Sequence, residues 1–417
     1  MLAAVLPCPP APCASDAVPQ GSDAEWFAGM IDRCYDYAGL AKAEGRPVVG
    51  ILCEYTPREL IIAAGGVPVC LCGGSADRIP AAEQVLPSNL CPLIKSTFGY
   101  HLERNNPFLE WADLVVAETT CDGKKKMFEL MAETRPMFVL SLPHNREAAL
   151  GREQWVAEMR RLRAELERRF HVRVTDEKLR AAIRQMNHER RLRRELAALM
   201  RDDEPPFTGR QLLEMKSIIS CIPADIERYK NILSHAVEKN ATHEGDGSNG
   251  AKLSAGRVRV LLTGVPVAHG AERVVDLIED HGGLIVCQEN CTGLKPILDD
   301  VDEIAADPIQ ALADKYLATP CSVMTPNTTR LDSIRRLARE FRADCIVDLI
   351  WQACLTYDIE SVMVRKLADE ELRLPFLRIQ TDYSPSDSER IAVRVEALFE
   401  NVRRKAASPG AKACRAT

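Results

Sequence analysis

The sequence predicts an α/β protein with two Rossmann-like (flavodoxin-like) parallel-sheet domains related as a pseudo-repeat, plus a helical segment between them. Three observations predict it: short apolar runs alternate with helical stretches, similar strand blocks occur twice, and a long helical region separates them. Val48 to Leu52 is an apolar run suited to a buried parallel strand. Thr56-Pro57-Arg58-Glu59 then opens a helix, with Thr56 as cap and Pro57 at the first helical position. Gly65-Gly66 stops that helix, and Val67 to Leu71 is the next strand. A strand at Leu114 to Ala117, a helix from about Lys124 to Glu133 and a strand at Met137 to Leu140 complete the first series.

From Gly151 to about Lys239 the pattern is helical. Trp155, Met159, Leu162, Leu166 and Phe170 fall on one helix face, and further helices start at Thr175 and at Thr208, where Thr208 and Gln211 make a capping box. Residues 151–200 carry 14 Lys+Arg against 8 Asp+Glu, an excess of 14 − 8 = +6. Solvated helix faces are the expected reading; a docking surface for an acidic partner is the alternative. Asn240 to Gly256 reads as a linker. Alternation then resumes: strands at Arg259–Leu262, Gly283–Val286, Cys345–Leu349 and Phe376–Gln380, with helices at Ala271–Asp280, Pro308–Leu317, Leu331–Phe341 and Tyr357–Ala368. A last helix starts near Ser386, where Ser386 and Glu389 make another capping box. The expected organisation is a flexible tail over 1–23, an N-terminal α/β domain over 24–150 and the helical segment over 151–239. The linker over 240–256, a C-terminal α/β domain over 257–405 and a second tail over 406–417 follow.

Composition narrows the function. Fifty-four Lys+Arg against sixty Asp+Glu leave a net charge of −6, so no overall basic charge recruits nucleic acid. The longest charge-free apolar stretch, Leu60 to Ala76, is broken by two Gly-Gly pairs and a Pro, so it is no membrane span. The first 23 residues lack a positive n-region, which argues against a signal peptide and for a cytoplasmic protein. Fifteen cysteines are the unusual number. In a long chain in a reducing compartment they point to metal or redox chemistry, although free Cys also serves as a small core hydrophobe.

Their positions follow the repeat. Gly66-Val67-Pro68-Val69-Cys70 answers Gly283-Leu284-Ile285-Val286-Cys287, and Ala112 to Val116 answers Ala343 to Val347. Cys91 lies 22 residues before Asp113 and Cys121 lies 8 after it; Cys321 lies 23 before Asp344 and Cys354 lies 10 after it. Each half therefore places one Cys before a helix and another beyond a strand's C-terminal end, where open α/β sheets bind ligands. Cys121 and Cys354 also precede helices, whose N-terminal dipoles favour a thiolate. Third candidates are Cys53 in the first half and Cys291 in the second, with Cys72 in reserve because it matches Cys291 better in the repeat.

No CxxC pair occurs, which excludes zinc-finger, thioredoxin-like and small-ferredoxin spacings but not a cluster held from separate loops. Three Cys per half would leave one iron of a cubane without a protein thiolate, open to a bridge or to substrate. There is no GxxxxGK[ST] loop, and Gly264 and Gly270 do not make GxGxxG. Lys124, Lys125 and Lys126 are solvated helix residues or a hold on a negatively charged cluster or substrate. Glu54, Glu118 and Glu289 near strand ends are either paired or available to shuttle protons. His144, His269 and His281 show no ligand spacing.

Specific blocks surround the candidate cysteines: Cys53-Glu54-Tyr55-Thr56-Pro57-Arg58-Glu59-Leu60, Asn89-Leu90-Cys91-Pro92-Leu93-Ile94-Lys95-Ser96 and Thr120-Cys121-Asp122-Gly123-Lys124-Lys125-Lys126-Met127. Glu289 to Gly293, Pro320-Cys321-Ser322, Gln352 to Tyr357 and Thr381 to Ser384 continue the set. In these blocks the chain resembles the benzoyl-CoA reductase/2-hydroxyacyl-CoA dehydratase subunit family, and most closely its double-cubane-cluster branch, over about residues 45 to 400. The branch often has a second Cys shortly after Cys321 and commonly has His at Leu355; this chain has neither. The resemblance implies a homodimer in which each chain holds a bridged [8Fe–9S] double cubane and reduces a small-molecule substrate. Electrons would come from a separate, ATP-hydrolysing [4Fe–4S] activator. Cys53, Cys91 and Cys121 are expected to hold one cubane and Cys291, Cys321 and Cys354 the other. The alternatives are a 2-hydroxyacyl-CoA dehydratase subunit with one [4Fe–4S] cluster working by a ketyl radical, and a non-catalytic electron carrier. No catalytic residue is assigned.

Overall fold

In the computed structural model, residues 23–241 and 253–407 are described. Most of the two expected tails and the middle of the expected linker lie outside those residues. Where the described part overlaps them it is ordered: Asn240 and Ala241 end one helix (Pro223–Ala241) and Ala406 and Ala407 end another (Ser388–Ala407).

Among the described residues, eight strands form two separate four-stranded sheets, all parallel. The first contains β1 (Val48–Ile51), β2 (Val67–Cys70), β3 (Leu114–Glu118) and β4 (Met137–Leu140) in the order β2-β1-β3-β4. The second contains β5 (Val258–Gly264), β6 (Gly283–Glu289), β7 (Cys345–Trp351) and β8 (Phe376–Thr381) in the order β6-β5-β7-β8. Central strands buried on both faces need continuous apolar runs, and Val48–Ile51, Leu114–Glu118 and Cys345–Trp351 are buried throughout. The order is that of a flavodoxin-like sheet, so each sheet has a switch point between its two central strands.

The pseudo-repeat extends to side chains. Asp113 accepts from the Val48 amide at 2.9 Å and donates its own amide to Val48 O; Asp344 repeats both bonds with Arg259, at 3.0 and 2.8 Å. One carboxylate thus ties the start of the central strand in each half.

Two local expectations fail. Thr56 does not cap its helix: the Arg58–Ala63 helix has Pro57 as N-cap without a side-chain bond, because the Thr56 hydroxyl is drawn instead to the buried Glu118 carboxyl. The Ser386–Glu389 capping box is also absent. Ser384 accepts from the Ser386 amide at 3.2 Å, starts a short 3₁₀ turn, and displaces the helix start to Ser388. The caps at Thr175 and Thr208 form as expected, the latter as a full capping box.

The helices Ala149–Phe170 and Asp176–Ala198 explain the local basic excess. Arg160 pairs with Asp307 at 2.9 Å, Arg191 with Asp300 and Glu303 at 3.1 Å, and Arg194 with Asp300 at 2.8 Å. The acidic partner is therefore, in part, a segment of the same chain. Deeper in, Arg190 pairs with Glu59 from the first half, and the Tyr316 hydroxyl from the second half donates to Glu59 at 2.7 Å. Burial works against the Glu59 charge, yet Arg190 and Lys315 hold its carboxyl below the usual range. Among the described residues no helix is long and apolar enough to cross a membrane.

Removing one member of a buried ion pair leaves the other charge uncompensated, which costs about 3–5 kcal/mol. Arg190→Met should lower stability by that amount in urea titrations, and the Arg190→Met/Glu59→Gln double variant should recover most of it.

Candidate functional site

The six candidate thiols lie at strand ends and helix starts. Cys53 follows β1, Cys291 follows β6, and Cys321 is buried in the connection between the helices Pro308–Leu317 and Thr328–Glu340. The other three are N-cap residues: Cys91 of the helix Pro92–Glu103, Cys121 of Asp122–Ala132 and Cys354 of Leu355–Lys366. A helix start offers backbone N–H groups without intrahelical partners. None of the three sulfurs makes a capping hydrogen bond, yet the N–H groups of Leu93 and Ile94 lower the Cys91 thiol, those of Gly123 and Lys124 lower Cys121, and that of Tyr357 lowers Cys354. These dipoles favour thiolate at a site where burial opposes it.

The sulfurs fall into two neighbourhoods. Cys91 and Cys354 act most strongly on each other, and Cys121 feels the charge of Cys354 and acts on Cys91. Cys354 draws the Cys91 thiol below its ordinary value and is itself pushed up in return. Cys53, by contrast, is within electrostatic range of Cys291 and Cys321, and those two are in range of each other. Burial pushes the Cys53 thiol well up and Cys291 to about 11. These neighbourhoods cut across the halves: Cys354 sits with two thiols of the first half and Cys53 with two of the second. Spacing alone suggests grouping by half; the electrostatic neighbourhoods follow a different division. Cys72 lies within range of Cys53, but the group that acts on it most strongly is Cys70. Among the described residues no three His, Cys, Asp or Glu side chains are placed to hold a single metal ion.

Charged groups surround these sulfurs. Lys124 splits from its neighbours: Lys125 and Lys126 make exposed pairs with Asp122 and Glu129, whereas the Lys124 ammonium turns inward and donates to Leu52 O at 3.0 Å. There it faces Cys53, Cys72, Cys121 and Glu118; burial disfavours its charge, but the thiols beside it raise its pKa. Lys216 donates to both Glu54 and the Cys291 carbonyl at 2.8 Å, and Lys295 donates to the Tyr357 hydroxyl at 2.9 Å. Tyr55, Tyr357 and Tyr383 border the same sulfurs. None of Lys216, Lys295 or the three tyrosines stood out as a site residue in the sequence. The two lysines come from the helical segment and a 3₁₀ turn, and only Lys295, four residues past Cys291, carried any positional hint.

The three strand-end glutamates differ. Burial opposes the Glu54 charge, but Arg58 at 2.7 Å and Lys216 hold its carboxyl far below the usual range. Glu289 lies 3.3 Å from both Lys295 and Arg330. Glu118 is fully buried, its Oε2 has no hydrogen-bond partner, and burial raises its pKa to about 8, with Thr56 and Lys124 opposing. Glu118 is thus placed to carry a proton at neutral pH. The histidines are engaged elsewhere: His144 with Thr119 O at 2.9 Å, His269 with Glu272 at 3.4 Å, and His281 with Glu396 at 2.7 Å.

A carboxyl that titrates near pH 8 when folded and near 4.5 when unfolded keeps a proton that the unfolded chain releases. Its contribution to stability is complete below about pH 4.5 and is lost as pH rises through about 8. Glu118→Gln should remove that slope, so the difference in urea midpoint between variant and wild type should grow from pH 5 to pH 8. A constant difference would show that Glu118 is already ionised.

A doubly wound α/β chain with buried thiols and lysines at the strand ends of both sheets is an enzyme scaffold. The family described as 2-hydroxyglutaryl-CoA dehydratase, D-component, matches residues 53–402, and the chain belongs to it. YjiM of Escherichia coli (strain K12), named as an inferred dehydratase subunit, is 40% identical over 360 residues, 86% of this chain and 92% of that one. The (R)-phenyllactyl-CoA dehydratase beta subunit of Clostridium sporogenes is 23% identical over 363 residues, covering 86% and 92%. A benzoyl-CoA reductase subunit of Thauera aromatica is 23% identical over 362 residues, covering 84% and 89%. The chain is thus an enzyme of the dehydratase/benzoyl-CoA reductase type.

Proposed function

We propose that this chain is a low-potential iron–sulfur reductase whose cofactor is an [8Fe–9S] double cubane, held by Cys53, Cys91, Cys121, Cys291, Cys321 and Cys354. The observation that carries this reading is the gathering of these six sulfurs into two neighbourhoods of three, with Lys124 facing a member of each. Cys91, Cys121 and Cys354 would hold one cubane and Cys53, Cys291 and Cys321 the other. Their chemistry fits the group: three of the thiols stand at helix starts, whose dipoles favour thiolate, and a buried ammonium opposes the negative charge that the cluster adds. When bound, such a cluster supplies electrons at low potential. The chain's own residues do the rest. Lys124 offsets charge between the two neighbourhoods, Lys216 fixes the Cys291 backbone against Glu54, and Glu118 holds a proton beside Cys53.

The substrate is proposed to be a small molecule, with electrons delivered by a separate ATP-hydrolysing [4Fe–4S] activator to a homodimer in the cytoplasm. In favour of a protein partner, Leu355, Ile359, Val362 and Met363 form an exposed apolar stripe on the helix that begins at Cys354. The second reading is a 2-hydroxyacyl-CoA dehydratase subunit with a single [4Fe–4S] cluster; the names of several relatives favour it.

Iron and sulfide analysis after anaerobic purification separates the two readings: about eight irons per chain fits the first and about four the second. Cys291→Ser should then remove or convert one cubane, and an unchanged iron content and spectrum would overturn the ligand set at that position. Lys124→Met should keep its iron and shift the reduction potential to a more negative value, since an ammonium favours the reduced, more negative cluster. An unchanged potential would reduce Lys124 to a structural role.

A further inference from the structure

The helix Asp176–Ala198 carries arginines at 190, 191, 193 and 194, and three of them are satisfied. Arg190 pairs with Glu59 and donates to Asn187 Oδ1 at 2.8 Å; Arg191 donates to Asp300 and Glu303 at 3.1 Å. Arg194 donates to Ile297 O at 2.7 Å and to Asp300 at 2.8 Å. Arg193 differs. Among the described residues its guanidinium makes no hydrogen bond: Glu189 Oε1 stands 3.8 Å away, and Glu189 Oε2 already accepts from the Cys221 amide at 2.5 Å. The Arg193 side chain is only 14% exposed, so bulk water reaches little of its five N–H donors.

That guanidinium lines two cavities, which also share Ile297. The smaller, of about 20 Å³, is lined by Arg58, Arg190, Arg193 and Lys216 against Glu54 and Glu189, so cations outnumber carboxylates around it. The larger, of about 30 Å³, is lined by Arg193, Gln288, Thr292 and Gly293 among apolar side chains. Gln288 is 4% exposed; its Nε2 donates to Gly209 O at 2.9 Å, and its Oε1 has no hydrogen-bond partner. The Gly209 carbonyl needs a donor, which fixes the amide with oxygen as its free end. One cavity is therefore bordered by a cation with unused donors and by a buried amide with an unused acceptor. Buried polar groups are nearly always paired, and these two have no partner in the fold itself.

We propose that Arg193 and Gln288 form a binding site for a small oxyanion that also carries an O–H group, of the size of hydrogencarbonate. The planar guanidinium donates two parallel hydrogen bonds to the O–C–O edge of the anion, and Gln288 Oε1 accepts from its hydroxyl. Arg58, Arg190 and Lys216 add positive potential from the adjoining cavity. A space of about 30 Å³ admits a ligand of about three or four heavy atoms, which excludes an acyl-CoA. No proposed cluster ligand lines either cavity, so the site stands apart from the cluster reading. Lys216 nonetheless ties it to the cluster region, because it lines the smaller cavity and donates to Cys291 O.

The test titrates anaerobically purified, iron-loaded protein calorimetrically with hydrogencarbonate, formate and chloride at pH 8 and constant ionic strength, with iron measured on the same samples. Expected is saturable binding of one hydrogencarbonate per chain, about tenfold tighter than formate, which lacks the hydroxyl, and no saturable binding of chloride. Gln288→Met should bring hydrogencarbonate down to the formate level. Arg193→Lys keeps the charge but loses the fork and should weaken both anions about tenfold, and Arg193→Gln should bind neither. All three variants should keep their iron. The proposal is overturned if hydrogencarbonate gives no saturable heat with the wild type, or if Arg193→Lys and Gln288→Met bind it as the wild type does. Anion binding by protein that holds four irons per chain, or none, would support the site while the double-cubane reading fails by itself.

Discussion

The two sulfur neighbourhoods depend on the halves of the chain being held against each other, and that is done by buried side chains and by bare backbone. Tyr55 donates to Thr319 O at 3.1 Å, Tyr383 donates to Gly73 O at 3.1 Å, and Glu59 is shared by Arg190 and Tyr316. At Gly74 the chains approach so closely that a Cβ would stand 2.1 Å from His269 O. No other residue fits there without moving the seam. Every sulfur neighbourhood mixes residues from both sides of it, so the chemistry rests on this contact more than on either sheet alone.

Much of this was legible in the chain. The eight strands are where short apolar runs place them, because a strand buried on both faces has little choice of residue. The repeat was legible from Asp113 and Asp344, which recur because each ties down a central strand. Helix starts were less secure. Thr56 and Ser386 carry the local signature of caps, but a buried carboxyl takes one hydroxyl and a preceding 3₁₀ turn takes the other's place. Local preference lost to partners distant in sequence or to a competing turn.

The site was legible as a set of sulfurs but not as a grouping. Spacing shows which thiols stand at strand ends; it does not show which strand ends face each other. That depends on how the halves dock, and so the exchange of Cys53 and Cys354 could not be read. The same holds for Lys216, which reaches Glu54 and Cys291 from the helical segment. Of three adjacent lysines only Lys124 turns inward, a matter of helix phase that three identical letters hide.

The distribution of the cysteines bears on what each half could do alone. Cys354, which answers Cys121 in the repeat, sits with two thiols of the first half, and Cys53 sits with two of the second, so the two neighbourhoods are not copies of one another. Severed in the stretch between β4 and β5, neither fragment would own a complete trio.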